Sequence, residues 1–463
     1  MTTLYREGSR AVRGVSGPLI FVENVPGAGF GELVSIEADG HRLSGQILDV
    51  EEGLCIIQVF EDTIGVRSGK TTVWLEKDIA KIPVGRSLLG RILNGRGKPI
   101  DGLGEIGYVE DELPVHGLPL NPVKRSSPNA FVQTGISSID IMNTLVRGQK
   151  LPIFSGSGLP AGQITAQIVN NATVPSAASK FLVVFAAMGI TSREADFFVD
   201  AFSSSGAVDH GVFFINTAGE SAVERILTPR LALTAAEYFA YNLGYDVLVV
   251  MTDMLYYCES LREIGAAREE VPGRRGFPGY MYSDLASIYE RAGCVSGRPG
   301  SITQIPIITM PDDDMTHPVV DLSGYITEGQ IVLDRSLADR GVYPPINVLP
   351  SLSRLMNKGI GKNKTTEEHR ALADQLYASY ARAKEVERLR LIVGDDGLTN
   401  DERQFLKFGA VFEKNFLHQG EGSRNLEESL QASWQCLFTL PDELLFKLPP
   451  SVIRQKIRKA ASQ

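Results

Sequence analysis

Four cysteines stand in 463 residues, at Cys55, Cys258, Cys294 and Cys436, and no two of them form a C-x-x-C pair. That spacing excludes a disulfide framework and predicts reduced thiols in a cytosolic protein. Six histidines are scattered without the spacing of a zinc site. Long apolar runs are also missing. The longest, Phe181–Ile190, is too short to cross a bilayer and reads as a buried strand, so any membrane association is expected to be indirect, through partners. The first residues do not read as a signal peptide. Nor is there an excess of basic residues: the net charge is −9, which argues against a nucleic-acid partner.

The most telling absence lies in a phosphate-binding loop. Leu151-Pro152-Ile153-Phe154 reads as a short buried strand, followed by Ser155-Gly156-Ser157-Gly158-Leu159-Pro160-Ala161-Gly162 and a helical stretch from Gln163 to Ala172. A working loop of this type is G-x-x-x-x-G-K-[ST], whose Lys reaches the β- and γ-phosphates and whose hydroxyl holds Mg²⁺. Counted from Gly156, the second Gly, the Lys and the hydroxyl fall on Ala161, Gly162 and Gln163. Lys150 precedes the strand, and no other lysine follows before Lys180. The layout of an ATPase is present without the groups that grip ATP.

What is there divides into three parts, at 1–78, 79–358 and 359–463. The first reads as short strands with Gly, Pro, Asn and Asp at roughly ten-residue spacing, the pattern of a small closed β-structure. A Gly/Pro-rich stretch over residues 90–129 leads into the centre. Residues 134–350 alternate strand and helix patterns, which predicts a mostly parallel sheet with helices on both faces. Thr228 is expected to cap a helix with Pro229 at its first position, ending at Gly244 before a buried strand from Asp246 to Met251. Beyond residue 361 the pattern is helical. Thr365-x-x-Glu368 and Thr399-x-x-Glu402 read as capping boxes, a third helix begins near Asn425, and residues 394–397 read as a turn.

Several side chains admit a chemical and a plain reading. Asp253, at the end of the strand after the loop-and-helix unit, stands where a P-loop enzyme holds Mg²⁺ through water; it equally caps a strand end. Asp312-Asp313-Asp314 suggests a metal site, but a solvated acidic turn is the stronger reading. Arg274-Arg275, set among Pro and Gly, suits an anion or a docking contact. Arg354, flanked by apolar residues, is costly to bury unless an anion meets it or a carboxylate of this chain pairs with it.

Taken together, these segments have a family. The chain resembles, along nearly its whole length, the B subunit of the A-type and V-type rotary ATPases and ATP synthases, the non-catalytic, regulatory partner in the head. The resemblance is carried by residues 149–160, 261–270, 272–282, 311–318, 325–330 and 349–356. It implies an N-terminal β-barrel, a central α/β domain of P-loop type and a C-terminal helical bundle. It also implies three such subunits alternating with three catalytic A subunits around a central rotor shaft, with peripheral stalks at the barrel end. Catalytic relatives carry Gly-Glu-Arg where this chain has Gly189-Ile190-Thr191, and an isoleucine cannot orient or deprotonate water.

The remaining role that the family implies is supplied in trans. Ser351-Leu352-Ser353-Arg354 matches a segment whose arginine reaches the nucleotide on the neighbouring A subunit, so Arg354 is expected to be an arginine finger. Ser323 and Tyr325 are expected to line the same interface. ATP or ADP with Mg²⁺ would be held mainly by the partner, and this chain's own loop would bind none. The resemblance further implies coupling to proton or sodium transport on the inner face of the cell membrane. Three rival readings are a self-sufficient P-loop ATPase of the same fold, an RNA-dependent ring motor and a purely structural ring spacer. The missing Lys and Glu weigh against the first. The mixed charge and single Trp74 of residues 1–80 weigh against the second.

Overall fold

Alternating apolar residues and frequent turn residues build seven strands in the first part of the chain: β1 (Gly8–Ser9), β2 (Val12–Ser16), β3 (Leu19–Glu23), β4 (Glu32–Ala38), β5 (His41–Glu51), β6 (Leu54–Val59) and β7 (Thr72–Ile79). The computed structural model describes residues 7–23, 25–51, 53–175 and 180–454. The strands pair antiparallel in the order β1-β7-β4-β5-β6-β3-β2. Laid flat, β7 and β2 would stand roughly 24 Å apart, at about 4.8 Å per strand. Yet Val12 of β2 and Val73 of β7 share one buried cluster with Ile20, Ile36, Ile47 and Ile57. The sheet must therefore roll up. A side-chain bond ties the segment before β7 to β2, from Ser68 Oγ to Val12 O at 2.6 Å.

The rest of the chain alternates strands and helices before becoming helical. In order come β8 (Ile153–Gly156), α1 (Ala161–Asn171), β9 (Phe181–Ile190), α2 (Ser192–Ser205), β10 (Gly211–Thr217), α3 (Ala222–Glu237), β11 (Asp246–Thr252) and α4 (Met254–Ala267). They are followed by β12 (Ser301–Met310), α5 (Pro318–Ile326), β13 (Gly329–Leu333), α6 (Arg335–Asp339) and β14 (Ile346–Ser353). The helical part holds α7 (His369–Val393), α8 (Asn400–Phe412) and α9 (Leu426–Leu437).

Spatially the chain forms two compact units, each built from separate stretches. One takes the residues up to Leu120 with Val183–Leu243 and Val249–Arg291; the other takes Asn121–Leu182, Gly244–Leu248 and everything from Ala292. In the first, β9 pairs parallel with β10, and β10 with a short strand at Ile92–Asn94. The Gly/Pro-rich stretch thus contributes an edge to a sheet as well as a connection. In the second, β8 lies between β12 and β13, parallel to both, while β14 closes the edge antiparallel to β13. Such an antiparallel edge on a parallel sheet is common. In the helical part, Tyr380 of α7 meets Phe412 of α8 with ring centroids 4.8 Å apart, and Phe408 and Phe416 stack on either side.

Two expected helix starts are corrected. α3 begins at Ala222, seven residues before Pro229, because Ser221 accepts the Glu224 N–H at 3.2 Å and caps it first. Thr228 lies inside the helix and turns its hydroxyl onto Glu224 O at 2.7 Å. Thr365 does not cap α7 either: its hydroxyl accepts Gly361 N at 3.0 Å in the preceding turn, and Glu368 takes the cap position without a side-chain bond. Thr399 with Glu402 and Asn425 with Glu428 do form capping boxes.

Candidate functional site

The loop after β8 folds as the sequence pattern demands, but an acid sits against it. Arg335, at the start of α6, clasps Asp313 with two bonds of 2.9 Å and donates a third, also 2.9 Å, to Ser157 O in the loop. A Cβ placed on Gly156 would stand 1.9 Å from Asp313 Oδ1, so only glycine allows the carboxylate this close. The Arg335 hydrogen bonds hold the Asp313 carboxyl below its ordinary range. A phosphate entering here would have to displace an ionised, bidentate pair. The acidic turn is exposed, as expected, with Asp313 also paired to Arg335; no cluster of His, Cys, Asp or Glu suited to a metal occurs among the described residues.

The second lesion is equally plain. Ile190 closes β9 and is buried. The nearest carboxylate along the chain, Glu194, is spent on capping α2, accepting Thr191 N and Thr191 Oγ1 at 2.8 Å each. Asp253 follows a cis Thr252–Asp253 peptide and caps α4, its Oδ1 accepting Leu255 N at 2.7 Å. Arg274 and Arg275 lie on an exposed turn, Arg274–Gly276.

Arg354 is placed by the period-two geometry of β14. Ser351 and Ser353 point inward and are buried, whereas Leu352 and Arg354 face out. Ser351 Oγ accepts Val332 N at 2.9 Å and donates to Asn347 O at 2.6 Å. Ser353 Oγ donates to Thr144 O at 2.8 Å and receives Gln149 Nε2 at 2.9 Å. Beside it a Cβ on Gly329 would lie 2.1 Å from Leu352 O, so a glycine is needed for β13 and β14 to meet here.

The arginine itself is exposed, so the cost of burying it does not arise in this chain. Its backbone N–H donates to Glu328 O at 2.9 Å and its Nη1 to Thr327 O at 3.0 Å. Arg354 forms no ion pair among the described residues. It borders an open cleft of about 220 Å³ with Phe154, Asp321, Tyr325 and Gln330. Tyr325, on α5, is 74% exposed.

Ser323 is the correction at this site. It is fully buried on α5 and does not line the cleft. Its carbonyl accepts Thr327 Oγ1 at 2.7 Å, so it acts behind the carbonyl that holds Arg354. Sequence reasoning also missed Lys150 and Glu328, whose side chains pair at 2.9 Å beneath Arg354. Lys150 was visible only as a lysine on the wrong side of the loop.

Comparisons with known proteins agree along the chain. Residues 135–353 match the ATP synthase alpha/beta family, nucleotide-binding domain; residues 12–73 match the beta-barrel domain of that family. Residues 358–457 match the C-terminal domain of V and A type ATP synthase. The chain is 56% identical over 435 residues to a V-type ATP synthase beta chain of Thermus thermophilus, covering 92% of this chain and 91% of the relative. It is 54% identical over 458 residues to an A-type ATP synthase B subunit of Methanospirillum hungatei, covering 98% and 99%. A solved structure, the ATP synthase subunit NeqB from Nanoarcheaum equitans, superposes with a TM-score of 0.73 at 40% identity, over 92% of this chain and 100% of that one.

Proposed function

The chain belongs to the ATP synthase alpha/beta family as a B subunit of the V/A type, and from that premise we propose that it is non-catalytic and supplies Arg354 in trans. In this reading it alternates with catalytic A subunits in a hexamer. Arg354 meets the nucleotide held by the neighbour, ATP or ADP with Mg²⁺, and offsets charge on the transferring phosphoryl group. An arginine so used contributes about 10³–10⁵ in rate. Its planar fork suits phosphate oxygens in fixed geometry. Tyr325 lines the same cleft, and Ser323 supports it from within.

The observation that carries the reading is an exposed guanidinium whose backbone is locked and whose charge meets no carboxylate among the described residues. A structural spacer would be expected to spend that charge on a carboxylate. A self-sufficient ATPase would need the loop that Asp313 and Arg335 obstruct and the acid that Ile190 replaces.

The remaining partners follow from the same premise. The tip of the helical part exposes Leu391 and Ile392, which suits a contact with the central shaft. The barrel end suits the peripheral stalks. Each interface with a catalytic neighbour can open or close as the shaft turns, which couples synthesis or hydrolysis of ATP to proton or sodium movement in the membrane sector. No helix among the described residues is long and apolar enough to cross a membrane, and we place the chain peripherally, on the cytoplasmic face.

The test is Arg354→Ala in the assembled complex. Turnover is expected to fall by about 10³ or more while assembly is unchanged. Normal turnover by that variant overturns the assignment.

A further inference from the structure

Lys150 and Glu328 are far apart in sequence, and neither belongs to the groups expected to meet nucleotide. Their contact is nevertheless dense. Lys150 Nζ pairs with Glu328 Oε1 at 2.9 Å, Lys150 N–H donates to Glu328 Oε2 at 2.8 Å, and Glu328 N–H donates to Lys150 O at 3.0 Å. The lysine side chain is only 3% exposed. An ammonium buried to that degree is retained only where it is paired and hydrogen-bonded.

What this clamp holds is the peptide segment that holds Arg354. Glu328 O accepts the Arg354 backbone N–H at 2.9 Å and Gln149 Nε2 at 3.1 Å. Thr327 O, one residue earlier, accepts the Arg354 guanidinium at 3.0 Å. Both ends of the arginine therefore hang on residues 327 and 328, and those residues are fixed to the strand entering the vestigial loop. Gln149 completes the link by reaching Ser353 Oγ, next to Arg354, at 2.9 Å.

We propose that Lys150 and Glu328 are positioning residues for the trans arginine: their buried ion pair sets where the Arg354 guanidinium stands relative to a phosphoryl group on the adjacent subunit. The proposal rests on the reading of Arg354 given above. A lysine outside the loop thus serves phosphate chemistry by aiming another cation. Displacement of a catalytic group by about 1 Å can cost on the order of a hundredfold in rate.

The experiment is steady-state ATP hydrolysis by the complex assembled with its catalytic neighbours. The double variant Lys150→Met/Glu328→Gln removes both charges, keeps the volumes and leaves the two backbone bonds' partners in place. Its kcat is expected to fall at least about tenfold, with KM changed less than about twofold, since the neighbour holds the substrate. Introduced into Arg354→Ala, the same pair of substitutions is expected to change the residual rate by less than about twofold, because there is no guanidinium left to aim. Wild-type kcat in the double variant, or an equal proportional fall in the Arg354→Ala background, overturns the proposal. Should the double variant fail to assemble, Glu328→Asp keeps both charges, shortens the reach and is judged by the same two outcomes. Normal turnover of Arg354→Ala alone instead overturns the parent reading, which separates the two failures.

Discussion

Arg335 and Asp313 face each other across the mouth of the vestigial loop, joined by two bonds of 2.9 Å, with Gly156 directly beneath the carboxylate. Asp313 fills the space beside Gly156, in a loop that also lacks the lysine at position 162. Restoring the lysine alone would leave a loop unfit for phosphate.

This gives a first expectation for the isolated chain. No saturable binding of labelled ATP should appear below about 1 mM, a level corresponding to roughly −4 kcal/mol. Inserting the missing groups as Gly162→Lys/Gln163→Thr should not change that while Asp313 remains. Equilibrium dialysis decides it, and micromolar binding by the unaltered chain would show that the pair opens easily.

At Arg354 the choice of cation is itself testable. Arg354→Lys keeps the charge but loses the fork and the reach that Nη1 uses toward Thr327 O. Turnover of the assembled complex should lie between wild type and Arg354→Ala, nearer the alanine variant. Full activity with lysine would mean that charge alone suffices.

The tip of the helical part makes a separate prediction. Leu391 is 82% and Ile392 83% exposed at the end of α7, so neither holds the fold together. Leu391→Ser/Ile392→Ser should shift the stability of the chain by no more than about 0.5 kcal/mol per site. Binding of the shaft subunits to the head should weaken at least about tenfold, the scale of 1.4 kcal/mol. Unchanged shaft binding would remove this tip from the proposed contact.

The sequence carried the site further than it carried the supports. Arg354 was legible only through the resemblance of the Ser351–Arg354 segment; that Ser351 and Ser353 turn inward and Arg354 outward came from the fold. The missing loop lysine was legible as a single position in a fixed spacing, and Ile190 through the resemblance. Asp313 with Arg335, and Lys150 with Glu328, were not, since each pair joins residues distant in sequence and only the sheet brings them together. Ser323 was placed by resemblance of a segment, which says nothing about which side of α5 it occupies; that side proved to be the buried one. At Thr228 and Thr365 a local capping signal was real but lost to a competitor, Ser221 in one case and the Gly361 turn in the other.

Asp140 offers a test through pH. It is fully buried, and burial pushes its carboxyl up to about 7, against the pull of hydrogen bonds from Thr134 N, Thr134 Oγ1 and Gly135 N. In the unfolded chain the same group ionises near about 3.9. Between those values the folded chain keeps a proton that the unfolded chain releases, so this contribution to stability is full below about 4, is lost as pH rises toward 7 and is level above it. Asp140→Asn places a donor where an acceptor stood, which should lower the melting midpoint at every pH. Because asparagine does not titrate, the deficit relative to wild type should shrink from pH 5 to pH 8. Each kcal/mol corresponds to roughly 2–4 °C for a unit of this size. Thermal melts of both proteins at the two pH values decide it; a deficit that stays constant would mean the three donors keep Asp140 ionised in the fold.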